Sequence, residues 1–244
     1  MFPSLFEWAK IEQGDGNKRT VPLRCGMVGK SGRKKMDYKQ IQVNTQSSIR
    51  IEGSRVVYFD PFRIGTETHD ADLICITHAH YDHFDLASIE KVSGRNTELA
   101  APASMAKELG NLGWKGKLHL LAPGERLEAA GLTITAVPAY NKLKPFHPKH
   151  NGWIGYLLEM DGIRYYVAGD TDAIKPLQEI RCDIALVPIG GKFTMNAKEA
   201  AGLINQIKPA AAIPTHYGSI VGNPKDADTF RKLVDRDIEV VVKL

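Results

Sequence analysis

Residues 72–83 read DLICITHAHYDH. The first half, 72–77, is a short continuous apolar run of strand length, as expected for a strand buried on both faces. The second half packs three imidazoles and one carboxylate, from His78, His80, Asp82 and His83, into six residues. Imidazole nitrogen and carboxylate oxygen suit zinc, iron and manganese. In an extended segment, side chains at i and i+2 point the same way, so His78 and His80 can converge on one metal ion. Asp82 and His83, where the chain turns toward a helix, can face a second ion beside it. Burying four such side chains without a metal would cost on the order of several kcal/mol in unpaired polar groups.

The segments around this stretch give the architecture. Upstream, 41–43 and 48–52 alternate apolar and polar residues, Gly53-Ser54 makes a turn, and 56–59 runs apolar up to Asp60-Pro61. That is a β-meander with a hairpin. Residues 12–36 are rich in Gly, Lys and Arg and lack apolar periodicity, which reads as a surface loop or arm. Lys30, Arg33, Lys34 and Lys35 form a small basic cluster there. Downstream, helices are expected at 84–92 and 103–110, and strands at 118–121, 126–128 and 132–137. Strands 153–159 and 163–168 are joined by Asp161-Gly162, a strong hairpin signal. A helix over 196–206 opens at Asn196 with Glu199 three residues later, a variant of the capping box. A strand at 210–214, a helix at 226–236 and a strand at 238–242 complete the chain. Each half reads as strands followed by helices. The expectation is two packed sheets with helices outside, forming one α/β domain over 1–244.

Composition bounds the function. At 244 residues the chain can bury about 70% of its unfolded surface, so a metal is not needed to make a core. A metal would therefore serve chemistry. The 32 Lys+Arg against 28 Asp+Glu leave a net +4, too slight by itself to imply a nucleic-acid partner. The three cysteines, Cys25, Cys75 and Cys182, form no CxxC pair. They point to a reducing compartment rather than a disulfide framework. MFPSLFEWAK does not read as a secretory signal, and no run of apolar residues is long enough to span a bilayer. A cytoplasmic protein without a membrane partner is expected.

Two further segments bear on the metal reading. AGDTD at 168–172 follows a strand, with Gly169 permitting close backbone approach and Asp170 at the strand's carboxyl end. A carboxylate there could bridge two ions, although GDTD alone is equally an Asx-turn. IPTHYG at 213–218 places His216 just past another short strand. It is the coincidence of three such segments that carries weight.

THAHYDH, GDT, the late strand with its His216 and Asp60-Pro61 together resemble the metallo-β-lactamase fold superfamily over residues 40–244. The series PAYNK, HPK, GDTD, PIGG, EAA, IKP and PTHYG is more specifically similar to small bacterial and archaeal metal-dependent hydrolases of that fold. The resemblance implies an αββα four-layer sandwich of two similar halves, with metals where the sheets meet. It implies His78 and His80 on a first metal, Asp82, His83 and His216 on a second, and Asp170 bridging them. The third ligand of the first metal is left open among Asn141, His147 and His150. His147 is favoured, because Asn is a poor zinc ligand and Pro148 stiffens the loop beside it.

The resemblance further implies a metal-dependent hydrolase using two zinc ions, with manganese or iron as alternatives. A metal-bridged hydroxide would attack an ester, lactone, amide or phosphodiester of a small, anionic substrate. Asp82 could orient the nucleophile as well as ligate. Tyr217 is a candidate oxyanion or leaving-group partner, or a packed aromatic. Lys142, Lys144 and Lys149 could bind a substrate anion or form a solvated loop. Bridging by Asp170 rather than Cys argues against an antibiotic-degrading class B β-lactamase. A nuclease or phosphodiesterase acting on nucleic acid and a non-catalytic metal-binding protein are the alternatives. His69 and His119 are expected to be surface or packing residues.

Overall fold

A computed structural model describes residues 38–244; the expected arm at 12–36 and its basic cluster lie outside the described residues. One sheet contains six strands in sequence order: β1 (Ile41–Thr45), β2 (Ser48–Glu52), β3 (Val56–Phe59), β4 (Ala71–Cys75), β5 (Ser93–Pro102) and β6 (Leu118–Leu121). The second contains β7 (Arg126–Ala129), β8 (Leu132–Pro138), β9 (Ile154–Met160), β10 (Ile163–Val167), β11 (Ile184–Pro188), β12 (Ala211–Thr215) and β13 (Glu239–Val240), ordered from β13 back to β7. Four α-helices are described: α1 (Leu86–Val92), α2 (Ala106–Gly110), α3 (Ala197–Ile207) and α4 (Asp226–Leu233).

Each sheet begins antiparallel and continues parallel. The meander β1–β3 buries Ile41, Val43, Ile49 and Ile51 on one face, as its alternation predicts. From β3 to β6 the pairing is parallel, and Leu73, Ile74 and Cys75 of β4 are all fully buried. In the second sheet β7–β10 pair antiparallel and β10–β13 parallel.

The layers follow from which side chains meet. Tyr58, Ile74 and Leu99 pack with Ile89 and Val92 of α1 and Leu109 of α2. Tyr166, Ala185, Val187 and Ala212 pack with Ala200 and Ile204 of α3 and Phe230 of α4. The two sheets face each other where the Phe59 and Tyr156 rings lie 5.9 Å apart. There the Tyr156 hydroxyl donates to the Ile76 carbonyl at 2.7 Å. The result is the αββα arrangement. α3 opens on the expected capping box: the Asn196 side chain accepts from the Lys198 and Glu199 N–H groups, and Glu199 returns a bond to the Asn196 N–H.

β5 and β11 were not among the expected strands. The first half of β5, Ser93–Asn96, is polar and partly exposed, so it carries no apolar period. β11, five residues long, has the same signal as β4, a continuous apolar run, and it ends in Pro188 shortly before Gly190-Gly191. Helix 226–236 stops at Leu233, where Val234 turns extended. Among the described residues, no helix is long and apolar enough to cross a membrane.

The topology places the loops that matter. β8 is antiparallel to β9 and β9 to β10, so β8 runs with β10, β11 and β12. The carboxyl ends of these four strands share one edge of their sheet. β3 and β4 likewise run together. Ligands in open α/β sheets gather beyond such carboxyl ends.

Candidate metal centre

His78, His80, Asp82 and His83 leave the end of β4. His147 comes on the loop after β8, Asp170 follows β10, and His216 follows β12. Three sets of donor atoms lie within 4.8 Å of one another: His78, His80 and His147; His78, His83 and Asp170; and Asp82, His83 and His216. His78 Nε2 is 3.0 Å from His80 Nδ1, and His83 Nε2 is 3.2 Å from His216 Nε2. Asp170 reaches both ends of the cluster. Its oxygens are 3.2 Å from His147 Nε2, 3.3 Å from His216 Nε2 and 3.4 Å from His83 Nε2. Asp82 Oδ2 is 3.4 Å from His216 Nε2 and 3.7 Å from His83 Nε2.

The outer nitrogens of several rings are held by oxygen. Asp60, directly after β3, accepts from the Thr77 N–H at 2.7 Å and the Thr77 hydroxyl at 2.6 Å. Its Oδ2 also lies 2.7 Å from His83 Nδ1. Because the Thr77 hydroxyl donates to Asp60, its lone pairs face His78 Nδ1 at 2.9 Å. His78 and His83 therefore carry the proton on Nδ1 and turn Nε2 inward, the tautomer that a metal requires. Gly169 has φ +63°, and a Cβ there would lie 3.1 Å from Thr77, so glycine lets the backbone carrying Asp170 come this close without strain or displacement of Thr77. His216 holds a left-handed backbone, φ +54°, and its N–H donates to the Gln46 carbonyl at 2.9 Å.

Electrostatics follow from burial against mutual charge. Burial would raise the Asp170 carboxyl, but His216 and His83 hold it well below the usual carboxylate range. Burial would lower His83, but Asp170 and Asp60 outweigh it and raise it to about 9. His78 has less compensation, and burial with the charge on His83 pushes it well below the usual imidazole value. For Asp82, burial pushes up, yet the hydrogen bond and charge of His216 and the charge of His83 bring the carboxyl below its ordinary value.

These residues fit divalent metal ions. His147 Nε2 and Asp170 Oδ1 are buried without a hydrogen-bond partner, and paired ring nitrogens face each other across the cluster. Such unsatisfied acceptors, all nitrogen and carboxylate oxygen, are the donor chemistry of zinc, manganese or iron sites.

Other candidate residues lie elsewhere. His150 lies in an exposed 3-10 turn outside the three donor sets. Asn141 points its amide at His147 rather than into the donor cluster. Tyr217, the candidate oxyanion or leaving-group partner or packed aromatic, lies among apolar side chains with its hydroxyl buried and without a hydrogen-bond partner. It is 3% exposed in the hydrophobic cluster with Ala227 and Phe230, and its charged neighbours are Arg231 and Asp228 of α4. Lys144 is committed to Asp172 Oδ1 and the Thr194 carbonyl. His119 pairs with Glu98, and His69 is exposed. Three contributors were not assigned a role from sequence. Asp60 and Thr77 lie in the motifs Asp60-Pro61 and THAHYDH, which give these two side chains no role of their own. Trp153, whose ring lies 4.8 Å from His78 and 4.9 Å from His80, had no signal at all.

Residues 40–216 match the family described as beta-lactamase superfamily domain. The chain belongs to that superfamily. A UPF0173 metal-dependent hydrolase of Thermococcus onnurineus is 34% identical over 211 residues, covering 80% of this chain and 92% of the relative. One from Pyrococcus abyssi is 34% identical over 210 residues, with the same coverages. A crystal structure of a protein from Parabacteroides distasonis superposes with a TM-score of 0.69 at 31% identity, covering 84% of this chain and 92% of that one. Igni18, a metallo hydrolase from Ignicoccus hospitalis, shares the fold with a TM-score of 0.65 at 24% identity, covering 83% and 93%. In this beta-lactamase superfamily member the donor cluster sits at the shared edge of the two sheets, beyond the carboxyl ends of β4, β8, β10 and β12.

Proposed function

We propose that the protein is a metal-dependent hydrolase with a dinuclear centre, acting on an ester, lactone, amide or phosphodiester of a small anionic molecule. Zinc is the first choice of metal, with manganese or iron as alternatives. The observation that carries this reading is Asp170, whose carboxylate lies within 3.4 Å of nitrogens from both ends of the cluster. His78, His80 and His147 would hold one ion, Asp82, His83 and His216 the other, with Asp170 spanning them. Bound ions would supply a water nucleophile acidified toward neutral pH and Lewis-acid stabilisation of the oxyanion that develops.

The chain's own residues supply the rest. Asp82 stays ionised at neutral pH and faces the same space, so it can orient the attacking water and accept its proton. Trp153 packs against His78, His80 and His147 and walls that side of the centre. Lys142 and Lys149 flank His147 in sequence and offer positive charge to a substrate anion, whereas the Lys144 ammonium is already paired.

Metal analysis of protein purified without chelator tests the reading first. About two equivalents of zinc, manganese or iron are expected; fewer than one would overturn it. Hydrolysis of generic lactone, ester, amide and phosphodiester substrates should be lost in both His80→Ala and Asp170→Ala. Retention of hydrolysis in both variants would place the chemistry elsewhere.

A further inference from the structure

His147 sits on a loop that closes upon itself. The Asn141 N–H donates to the His147 carbonyl at 2.8 Å, and the His147 N–H donates to Asn141 Oδ1 at 3.1 Å. The same Oδ1 lies 3.1 Å from His147 Nδ1. The opposite end of the Asn141 amide, Nδ2, is 2.9 Å from the Phe193 carbonyl and 3.2 Å from Asp172 Oδ1. A carbonyl only accepts, and the Asp172 carboxylate already takes the Lys142 N–H and the Lys144 ammonium as an acceptor, so the group facing them must be the NH2. Oδ1 is thereby turned toward His147, and Nδ1 must carry the proton to donate to it. In a neutral imidazole Nε2 is then left as a lone pair.

That Nε2 is buried without a hydrogen-bond partner and lies 3.2 Å from Asp170 Oδ2. Asp172 anchors the far end of the relay. Its carboxylate also receives the Lys142 N–H at 2.9 Å and Lys144 Nζ at 2.5 Å, and its own N–H donates to the Tyr140 carbonyl at 3.0 Å. Asn141, His147 and Asp172 are all buried. Only Thr171 separates Asp172 from Asp170, so the bridging carboxylate and the His147 loop are fixed to each other.

We propose that Asn141, oriented by Asp172, is a positioning residue that sets the His147 tautomer and aims its Nε2 at the first metal position. The inference rests on the dinuclear reading above. An asparagine too poor a donor to be a ligand thus acts one step behind the ligand. Outer groups of this kind fix ring orientation and ligand basicity in metal sites.

The test uses the full chain, free of metal, with 15N-labelled histidine. NMR should find His147 as the Nδ1–H tautomer in the wild type. Asn141→Leu keeps comparable bulk and removes the acceptor, and should give Nε2–H or a tautomer mixture. Asn141→Asp keeps the acceptor and should restore Nδ1–H, even where the adjoining Asp172 carboxylate lowers stability. In a cobalt titration Asn141→Leu should weaken one of two equivalents by about 10–100-fold and spare the other. Wild-type His147 as Nε2–H, or an unchanged tautomer and cobalt affinity in Asn141→Leu, would overturn the inference. The wild-type measurement decides by itself if the variant does not fold. Absence of cobalt binding in the wild type would instead overturn the dinuclear reading.

Discussion

Asp60 Oδ2 lies 2.7 Å from His83 Nδ1, with both side chains fully buried. The same carboxylate takes both donors of Thr77, and the Thr77 hydroxyl in turn faces His78 Nδ1. One buried carboxylate thus governs a histidine in each half of the cluster. Asp60→Ala strands two Thr77 donors and His83 Nδ1 in the interior. Each stranded donor costs about 1–3 kcal/mol, so the variant should lose at least about 3 kcal/mol in urea unfolding. Asp60→Asn keeps the shape but sets an NH2 against donors. It should weaken both metal equivalents by about 10–100-fold in chelator competition. An effect confined to one equivalent would contradict the shared role.

The raised His83 predicts a pH signature in the metal-free protein. Its folded value is about 9 against an ordinary 6.5. A raised value means the folded state holds a proton that the unfolded state releases. The stabilisation is therefore complete below about 6.5 and is lost as pH rises through about 9. His78 works in the opposite sense: held neutral by burial, it costs stability as pH falls below its ordinary value. Urea midpoints of chelator-treated protein should peak near neutrality and decline toward pH 9. Asp60→Asn should flatten that decline. Metal affinity should rise over the same window, because the ion displaces a proton.

Single ligand deletions should separate the two positions. His147→Ala is expected to lose the ion held with His78 and His80. His216→Ala should lose the ion held with Asp82 and His83. Asp170→Ala should weaken both, since its carboxylate faces nitrogens from each set. Equilibrium metal content by mass spectrometry resolves these cases. Each loss should exceed the about 10–100-fold cost typical of outer residues. Equal loss of both ions in all three variants would mean that one cooperative site, not two, is present.

How much of this was legible in sequence depends on the kind of signal. Periodicity carried two packed sheets with helices outside, because the meander alternates and β4 runs continuously apolar, whereas the αββα order of the layers came only from the family resemblance. β5 escaped since half of its length is polar, and its pairing with β4 is set by tertiary register with a break between Ala71 and Leu73. The inward histidines stand in marked contexts after strands. Their orienting groups lie in the quoted motifs too, but the motifs do not say which ring each one holds. Asp60 acts on Thr77 and His83 through hydrogen bonds across 17 and 23 residues of chain, and Asn141 acts on His147 across 6. Only the folded loops create those neighbours. Tyr217 shows another limit: adjacency to His216 in sequence does not give its surroundings, which in the fold are the apolar side chains around α3 and α4.

Close backbone packing behind His216 gives a final prediction. A Cβ placed on Gly190 would lie 2.3 Å from the His216 carbonyl oxygen and 2.6 Å from Val221. The oxygen belongs to backbone that is already held on its other side by the bond from the His216 N–H to Gln46. The carbonyl cannot yield without moving the backbone that carries the imidazole. Gly190→Ala should therefore destabilise the protein by about 1–3 kcal/mol, as overpacking does. It should also loosen the ion held with Asp82 and His83 while leaving the other in place. Gly202 in α3 serves as the control, because a Cβ there meets nothing within 4 Å. Gly202→Ala should instead stabilise by about 0.4–1 kcal/mol through the unfolded chain's lost freedom. Thermal melts with metal analysis on both variants make the comparison. Gly190→Ala with wild-type stability and both ions retained would show that the His216 backbone is not the rigid support described.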